Sequence, residues 1–66
     1  MSYKEWYAYY NKWYENARIE FIRSEYYDDS IEDDFEVSED GNVYMGNLHY
    51  IKGVVTRWED SEYFVK

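Results

Sequence analysis

The sequence predicts an α+β fold in which one N-terminal amphipathic helix packs on a three- or four-stranded antiparallel β-meander. Two observations favour this fold class. Apolar residues recur with a helical period over about residues 3–24, and from Phe35 onward they alternate and are separated by turn residues. The 66 residues contain no internal repeat and no Gly/Ser-rich or Pro-rich linker. We therefore expect a single domain over residues 1–66.

The predicted helix has a continuous apolar face. At about 100° per residue, eight side chains fall within about 120° of one another, the width of a core-facing stripe. These side chains are Tyr3, Trp6, Tyr7, Tyr10, Trp13, Tyr14, Ala17 and Phe21. Ser2 followed by Glu5 fits a capping box, so we expect the helix to begin directly after Ser2.

The remaining positions of the helix predict further contacts. Oppositely charged side chains three residues apart are expected to form weak surface pairs. The pairs are Glu15 with Arg18 and Glu20 with Arg23. Three large side chains lie off the main stripe, and they are Tyr9, Ile19 and Ile22. Their position indicates either a second covered side of the helix or a contact in a homodimer.

Residues 25–34 connect the helix to the sheet, and no period continues through them. Two interpretations are open: an acidic loop, or a short helical turn capped by Ser30 with Asp33 three residues later. Like-charge repulsion in this stretch would favour the loop until a basic partner neutralises it.

Residues 35–66 predict the β-meander. Phe35 and Val37 alternate with polar neighbours, which is typical of a half-buried strand. Asp40 and Gly41 follow, and this pair favours a hairpin turn because both residues tolerate a positive φ.

Three further signals divide the rest of the chain. Gly46 and Asn47 mark a bulge or a second turn. Lys52 and Gly53 mark either a turn between two strands or a bulge within one long strand. The tail of residues 63–65 is apolar and predicts a last edge strand.

Negative charge is concentrated in one part of the chain. The net charge is -8, yet residues 25–40, which we call the acidic segment, contain nine carboxylates and neither lysine nor arginine. These are Glu25, Asp28, Asp29, Glu32, Asp33, Asp34, Glu36, Glu39 and Asp40. The rest of the chain has six acids and seven bases, so its net charge is only +1.

The sequence predicts neither catalysis nor a cofactor. His49 is the one base that is ready at neutral pH, and it lies in a predicted strand where a structural role is favoured. No carboxylate pair shows the contrasting environments that acid–base catalysis needs. A chain of this length can scarcely enclose a substrate pocket of about 300 Å³ or more. We therefore expect no catalytic residues and no enzyme activity.

Metal and nucleic-acid binding are also disfavoured. If Gly41 were the sixth residue of a calcium loop, Asn47 would stand at the twelfth position, where a bidentate Glu is required. A looser calcium site over residues 28–34 is the alternative. Direct nucleic-acid binding depends largely on basic side chains, so this acidic chain is not expected to contact nucleic acid.

The chain has no apolar stretch of the roughly twenty residues that span a bilayer, and no signal-peptide pattern. It also has no cysteine, which suits a reducing compartment. The expected location is the cytoplasm, with no membrane partner.

The position of the acids predicts a binding surface. Carboxylates near a helix C-terminus oppose the macrodipole, and such a local cost indicates a functional surface rather than solubility alone, although solubility is the simpler alternative. A surface of this kind suits a partner with a basic cleft, and interleaved aromatic rings would add specificity. The predicted partner-binding residues are Glu25, Tyr26, Tyr27, Asp28, Asp29, Glu32, Asp33, Asp34, Phe35, Glu36, Glu39 and Asp40.

The short length, the lack of cysteine and proline, and the run from Glu25 to Glu36 resemble the small acidic inhibitors that phages and mobile elements encode, including DNA mimics and several anti-CRISPR proteins. The resemblance implies an inhibitor of a basic nucleic-acid-binding protein in the host cytoplasm, such as a CRISPR effector nuclease, a restriction enzyme, a glycosylase or a polymerase. The alternative is an acidic interaction or regulatory module with a different basic partner, as a monomer or as a homodimer.

Overall fold

The computed structural model of the chain describes residues 2–31, 34–46 and 49–65, without the side chain of His49. It confirms the α+β fold class, with one long helix packed against a three-stranded antiparallel meander in the order β1–β2–β3. The elements are α1 (Tyr3–Ile22), β1 (Glu36–Val37), β2 (Val43–Met45) and β3 (His49–Ile51), together with short 3₁₀ helices at Asp29–Ile31 and Trp58–Asp60.

Helix α1 begins where the sequence predicts and ends slightly early. The Ser2 hydroxyl accepts a hydrogen bond from the Glu5 N–H at 3.3 Å, which caps the first turn. The helix ends at Ile22 rather than near residue 24. Ser24 explains the difference, because both its N–H and its hydroxyl donate to the Phe21 carbonyl, and such local bonds compete with helix propagation.

The core lies between α1, the inner face of the sheet and residues 52–65, which we call the C-terminal segment. Its buried members are Trp13, Ala17, Phe21, Phe35, Val37, Val43, Met45, Val55 and Trp58. Strand pairing places Val37, Val43 and Ile51 side by side in one cross-strand row on the inner face. The neighbouring row faces solvent, so the predicted alternation in the strands is confirmed.

The predicted helical stripe is only partly buried. Tyr3 is 75% exposed and Tyr7 is also exposed, and their rings stack on each other at 5.9 Å. The helix has 20 residues, or about 30 Å, whereas strands of two or three residues span only about 10 Å. The sheet therefore covers part of the stripe, and the prediction of a core-facing position was wrong for Tyr3 and Tyr7.

Two of the four side chains predicted to form ion pairs on α1 make other contacts. The Glu20 carboxylate accepts hydrogen bonds from the N–H and hydroxyl of Thr56, the latter at 3.0 Å. The Arg18 guanidinium lies over the Phe35 ring, 4.1 Å from its centroid. Between described residues the ion pair is instead Arg57 with Glu59 at 3.5 Å, and both side chains are exposed.

The first hairpin turn forms as predicted and anchors the C-terminal segment. Gly41 has a φ of +84° and donates its N–H to the Ser38 carbonyl at 2.9 Å. Its own carbonyl accepts from the N–H groups of Val54 (2.8 Å) and Val55 (3.1 Å). Gly46 also has a positive φ, +54°, which agrees with a turn there, although Asn47 lies outside the described residues.

The chain after β3 departs from the prediction. Strand β3 ends at Ile51, and residues 52–53 form a bend that neither starts a further strand nor continues as a bulged one. No strand forms at residues 63–65 of the described chain. Instead the Phe64 N–H donates to the Ser61 backbone carbonyl, and the Phe64 ring packs edge-on against the Trp58 ring with centroids 5.4 Å apart. Aromatic packing on the core therefore replaces edge-strand pairing.

Among the helices in the described ranges, none combines the length and the apolar character that crossing a bilayer requires.

Candidate partner-binding surface

The carboxylates of the acidic segment are exposed wherever the structure describes them. Seven of the nine are described, and all seven face solvent. They are Glu25, Asp28, Asp29, Asp34, Glu36, Glu39 and Asp40. The other two predicted positions, Glu32 and Asp33, lie outside the described residues. None of the seven takes part in the ion pair that the described residues form. Their charge is therefore uncompensated by contacts within the described chain.

The acidic segment extends along α1. Phe35 lies beside Phe21 near the end of the helix, with ring centroids 4.7 Å apart. The backbone N–H of Trp58 donates to the Glu39 carbonyl at 2.9 Å, and the Trp58 ring centroid lies 5.2 Å from that of Tyr10, so Glu39 lies near the first half of the helix. Burial and then the Glu39 carboxylate raise the pKa of Tyr10. From Phe21 to Tyr10 the helix axis covers about 16 Å. Residues 35–39 thus run back along α1.

The long dimension of the molecule coincides with this path. The molecule measures 40 × 19 × 18 Å. A helix of 20 residues is about 30 Å long and fits only along the first of these dimensions. The carboxylates are therefore spread lengthwise along the molecule rather than gathered at one point.

Within residues 25–34 the structure describes a short 3₁₀ helix at Asp29–Ile31. Its cap is Asp28 and not Ser30, because Asp28 Oδ1 accepts hydrogen bonds from the Ser30 N–H at 2.7 Å and from the Ser30 hydroxyl. The second predicted capping residue, Asp33, lies outside the described residues. Hydrogen bonds from the Ser30 hydroxyl and then from its N–H lower the pKa of Asp28, since both bonds favour the charged carboxylate.

The hydrogen bonds between Asp28 and Ser30 predict that the stability of this turn depends on pH. Because the folded pKa of Asp28 is below its ordinary value of 3.8, the turn is stabilised above that value and loses this contribution as the pH falls through the folded pKa. Replacing Ser30 with alanine should raise the Asp28 pKa toward 3.8. The carboxyl carbon shift of Asp28, followed by NMR across the acidic range in the wild type and in the variant, measures this change in pKa. An unchanged Asp28 titration in Ser30→Ala would contradict this assignment.

The aromatic residues predicted for partner binding differ in exposure. Tyr26 is exposed, whereas Tyr27 is half-buried and packs against Phe21 and Phe35 at 5.8 and 6.2 Å between ring centroids. Phe35 is only 4% exposed, so its prediction as a contact residue was wrong. The alternation that buries Val37 also turns Phe35 inward.

The sequence prediction missed two exposed tyrosines on the outer face of the sheet. Strand pairing places Glu36, Tyr44 and Tyr50 in one cross-strand row. The rings of Tyr44 and Tyr50 lie 4.8 Å apart at 34°. The alternation around Tyr44 could have placed it on this face, but its pairing with Tyr50 depends on the register across the Gly46 turn.

A shallow groove of about 240 Å³ borders this row of side chains. Its lining residues are Asp34, Phe35, Glu36, Tyr44 and Gly46. Two acidic and two aromatic residues therefore border the same small volume. Neither here nor at any other place in the described residues are three His, Cys, Asp or Glu side chains grouped so that they could hold a metal ion.

No protein-family model, no curated protein and no solved structure matches this chain. What the fold and surface define is a small α+β domain with an exposed acidic side.

Proposed function

We propose that the protein is an acidic inhibitor that occupies the basic nucleic-acid-binding site of another protein, as a DNA mimic does, in the cytoplasm of a host cell. The observation that carries this proposal is the exposure of seven described carboxylates of the acidic segment, none of them in an ion pair between described residues. Exposed charge of one sign that the chain does not compensate is available to attract a partner of the opposite sign.

The linear density of charge supports mimicry of a nucleic-acid backbone. The seven described carboxylates of the acidic segment lie within a molecule 40 Å long, so their spacing is at most about 6 Å per charge. A duplex has one charge per about 1.7 Å of axis and a single strand one per about 3.4 Å. Even at this largest spacing the carboxylates come within about twofold of a single strand, so a cleft that holds a nucleic-acid backbone is a suitable target.

The test compares two variants of equal net charge. The first neutralises exposed acids within the acidic segment and the second neutralises acids outside it, so both reduce the charge from -8 to -4. The first carries Glu25→Gln, Asp29→Asn, Glu36→Gln and Asp40→Asn. The control carries Glu15→Gln, Glu59→Gln, Asp60→Asn and Glu62→Gln. Partners are captured from a bacterial lysate at low salt, eluted with salt and identified, and affinities are measured with the purified partner.

The first variant is expected to bind at least about tenfold more weakly than the wild type, and the control within about threefold. Binding should also weaken as salt rises, because exposed charges are screened over about 8 Å at physiological ionic strength. DNA or guide RNA should displace the protein from its partner. Equal losses in the two variants, or an affinity that stays flat with salt, would contradict the proposal.

The second candidate is an acidic interaction or regulatory module that binds a different basic partner, as a monomer or as a homodimer. The exposure of Tyr9, Ile19 and Ile22 on α1 favours it, since large exposed side chains on one helix suit a protein contact. Light scattering at several concentrations reports the dimer. A complex in which the partner still binds nucleic acid would favour this module over the inhibitor.

A further inference from the structure

The outer face of the sheet presents a fixed aromatic surface. Tyr44 and Tyr50 are 47% and 46% exposed, and their rings contact each other at 4.8 Å between centroids with a 34° tilt. The Asn42 side-chain amide donates to the Tyr50 hydroxyl at 2.8 Å, and Asn42 Oδ1 accepts from the Gly53 N–H at 3.0 Å. Tyr50 is thus held to the backbone through Asn42, and it supports Tyr44. A ring held in this way loses little conformational entropy when a ligand packs on it.

Next to this surface lies the groove between Tyr44 and two carboxylates. The Glu36 side chain is the cross-strand neighbour of Tyr44, and the Asp34 carboxylate lies against Gly46 at the other side of the groove. Neither carboxylate takes part in an ion pair between described residues. A planar cation is the complementary ligand, because a carboxylate accepts two parallel N–H bonds from it while the ring face attracts its charge.

The chain already holds one guanidinium in a similar way. On the inner side of the same segment, the Arg18 guanidinium lies 4.1 Å from the Phe35 ring centroid and donates to the Phe35 carbonyl at 3.2 Å. An aromatic ring and an oxygen acceptor thus bind an arginine directly behind the groove. The outer side offers the same two groups, a ring and an oxygen, with a full negative charge added.

From these contacts we infer that the groove beside Tyr44 is a subsite for an arginine side chain of the basic partner. The guanidinium stacks on the Tyr44 ring and pairs with the Glu36 carboxylate, while Asp34 adds charge from the opposite side. A lysine ammonium gains the charge attraction but makes neither the bidentate pair nor the stacking contact. The subsite therefore selects arginine over lysine. This inference rests on the proposed function, in which the acidic segment binds a basic partner.

The experiment uses oligo-arginine and oligo-lysine peptides of equal length, titrated into the full chain by calorimetry at low salt. The wild-type protein should bind the arginine peptide about five- to tenfold more tightly. Tyr44→Leu should bind both peptides equally, because the charge is unchanged and only the ring is lost. Tyr26→Leu is the matched control, since Tyr26 is exposed but lies outside the groove, and it should keep the preference.

Two further variants keep the preference measurable if Tyr44→Leu does not fold. Circular dichroism shows whether each variant is folded. Tyr44→Phe retains the ring and should retain the preference. Glu36→Gln leaves both tyrosines in place and should weaken the arginine peptide more than the lysine peptide. Equal binding of the two peptides by the wild type, or a preference that survives in Tyr44→Leu, overturns the arginine subsite alone. Failure of both peptides to bind overturns the proposed function as well.

Discussion

Replacing Trp58 with alanine is expected to unfold the protein at 25 °C. The Trp58 side chain is 3% exposed and forms the centre of an aromatic cluster. Its ring centroid lies 5.2 to 5.9 Å from those of Tyr10, Phe64, Trp13 and Trp6. Truncating a buried tryptophan costs about 3 to 5 kcal/mol. A domain of this size has a total stability of only about 3 to 5 kcal/mol, so the loss removes most or all of it.

Far-UV circular dichroism and urea titration measure this effect. Trp58→Phe should remain folded with an intermediate loss, because most of the ring contacts survive, and it keeps the comparison measurable if the alanine variant does not fold. Tyr3→Ala is the control, since Tyr3 is 75% exposed, and it should change the free energy of unfolding by no more than about 0.5 kcal/mol. A Trp58→Ala protein as stable as Tyr3→Ala would contradict the central role of Trp58.

The second large effect is expected at Gly41. An alanine Cβ at this position would overlap the backbone carbonyl oxygen of Val55, and the φ of +84° is itself unfavourable for any residue with a Cβ. The turn cannot move away freely, because the Gly41 carbonyl binds the N–H groups of Val54 and Val55. We expect Gly41→Ala to lower the free energy of unfolding by about 3 kcal/mol.

Gly53 provides the matched control for Gly41. It also has a positive φ, +64°, but no atom lies within 4 Å of the position of an added Cβ. Gly53→Ala should therefore cost only the backbone conformation, about 1 kcal/mol. Urea unfolding of both variants gives the comparison. Equal losses would show that the contact between the first hairpin turn and the C-terminal segment does not stabilise the fold.

The parts of the fold that the sequence predicts correctly are those set by neighbours along the chain. The cap at Ser2, the period of α1 and the Gly41 turn each depend on residues within a few positions. The C-terminal segment was predicted wrongly because its packing against α1 decides it. An apolar tail at residues 63–65 fits an edge strand locally, yet the Phe64 ring packs on Trp58, which in turn packs on Trp6, Tyr10 and Trp13 of α1.

The acidic segment shows the same division. Exposure of its carboxylates was predictable, because unpaired charges remain in water. Its path along α1 was not predictable, since that path depends on how the hairpin docks beside Trp58 and Tyr10. The inward position of Phe35 follows from its alternation with Val37, whereas its place between acidic residues indicated an outward one.

The three tryptophans are grouped near one end of the acidic segment. All three lie in one cluster, because Trp58 is 5.9 Å from Trp6 and 5.8 Å from Trp13 between ring centroids. The Trp58 N–H also donates to the Glu39 carbonyl at 2.9 Å, so the hairpin-turn end of the acidic segment adjoins this cluster. The opposite end, near Tyr27 and Phe35, contacts only tyrosine and phenylalanine rings among the described aromatic pairs. Intrinsic indole emission therefore reports on binding at the hairpin-turn end of the acidic segment without a label.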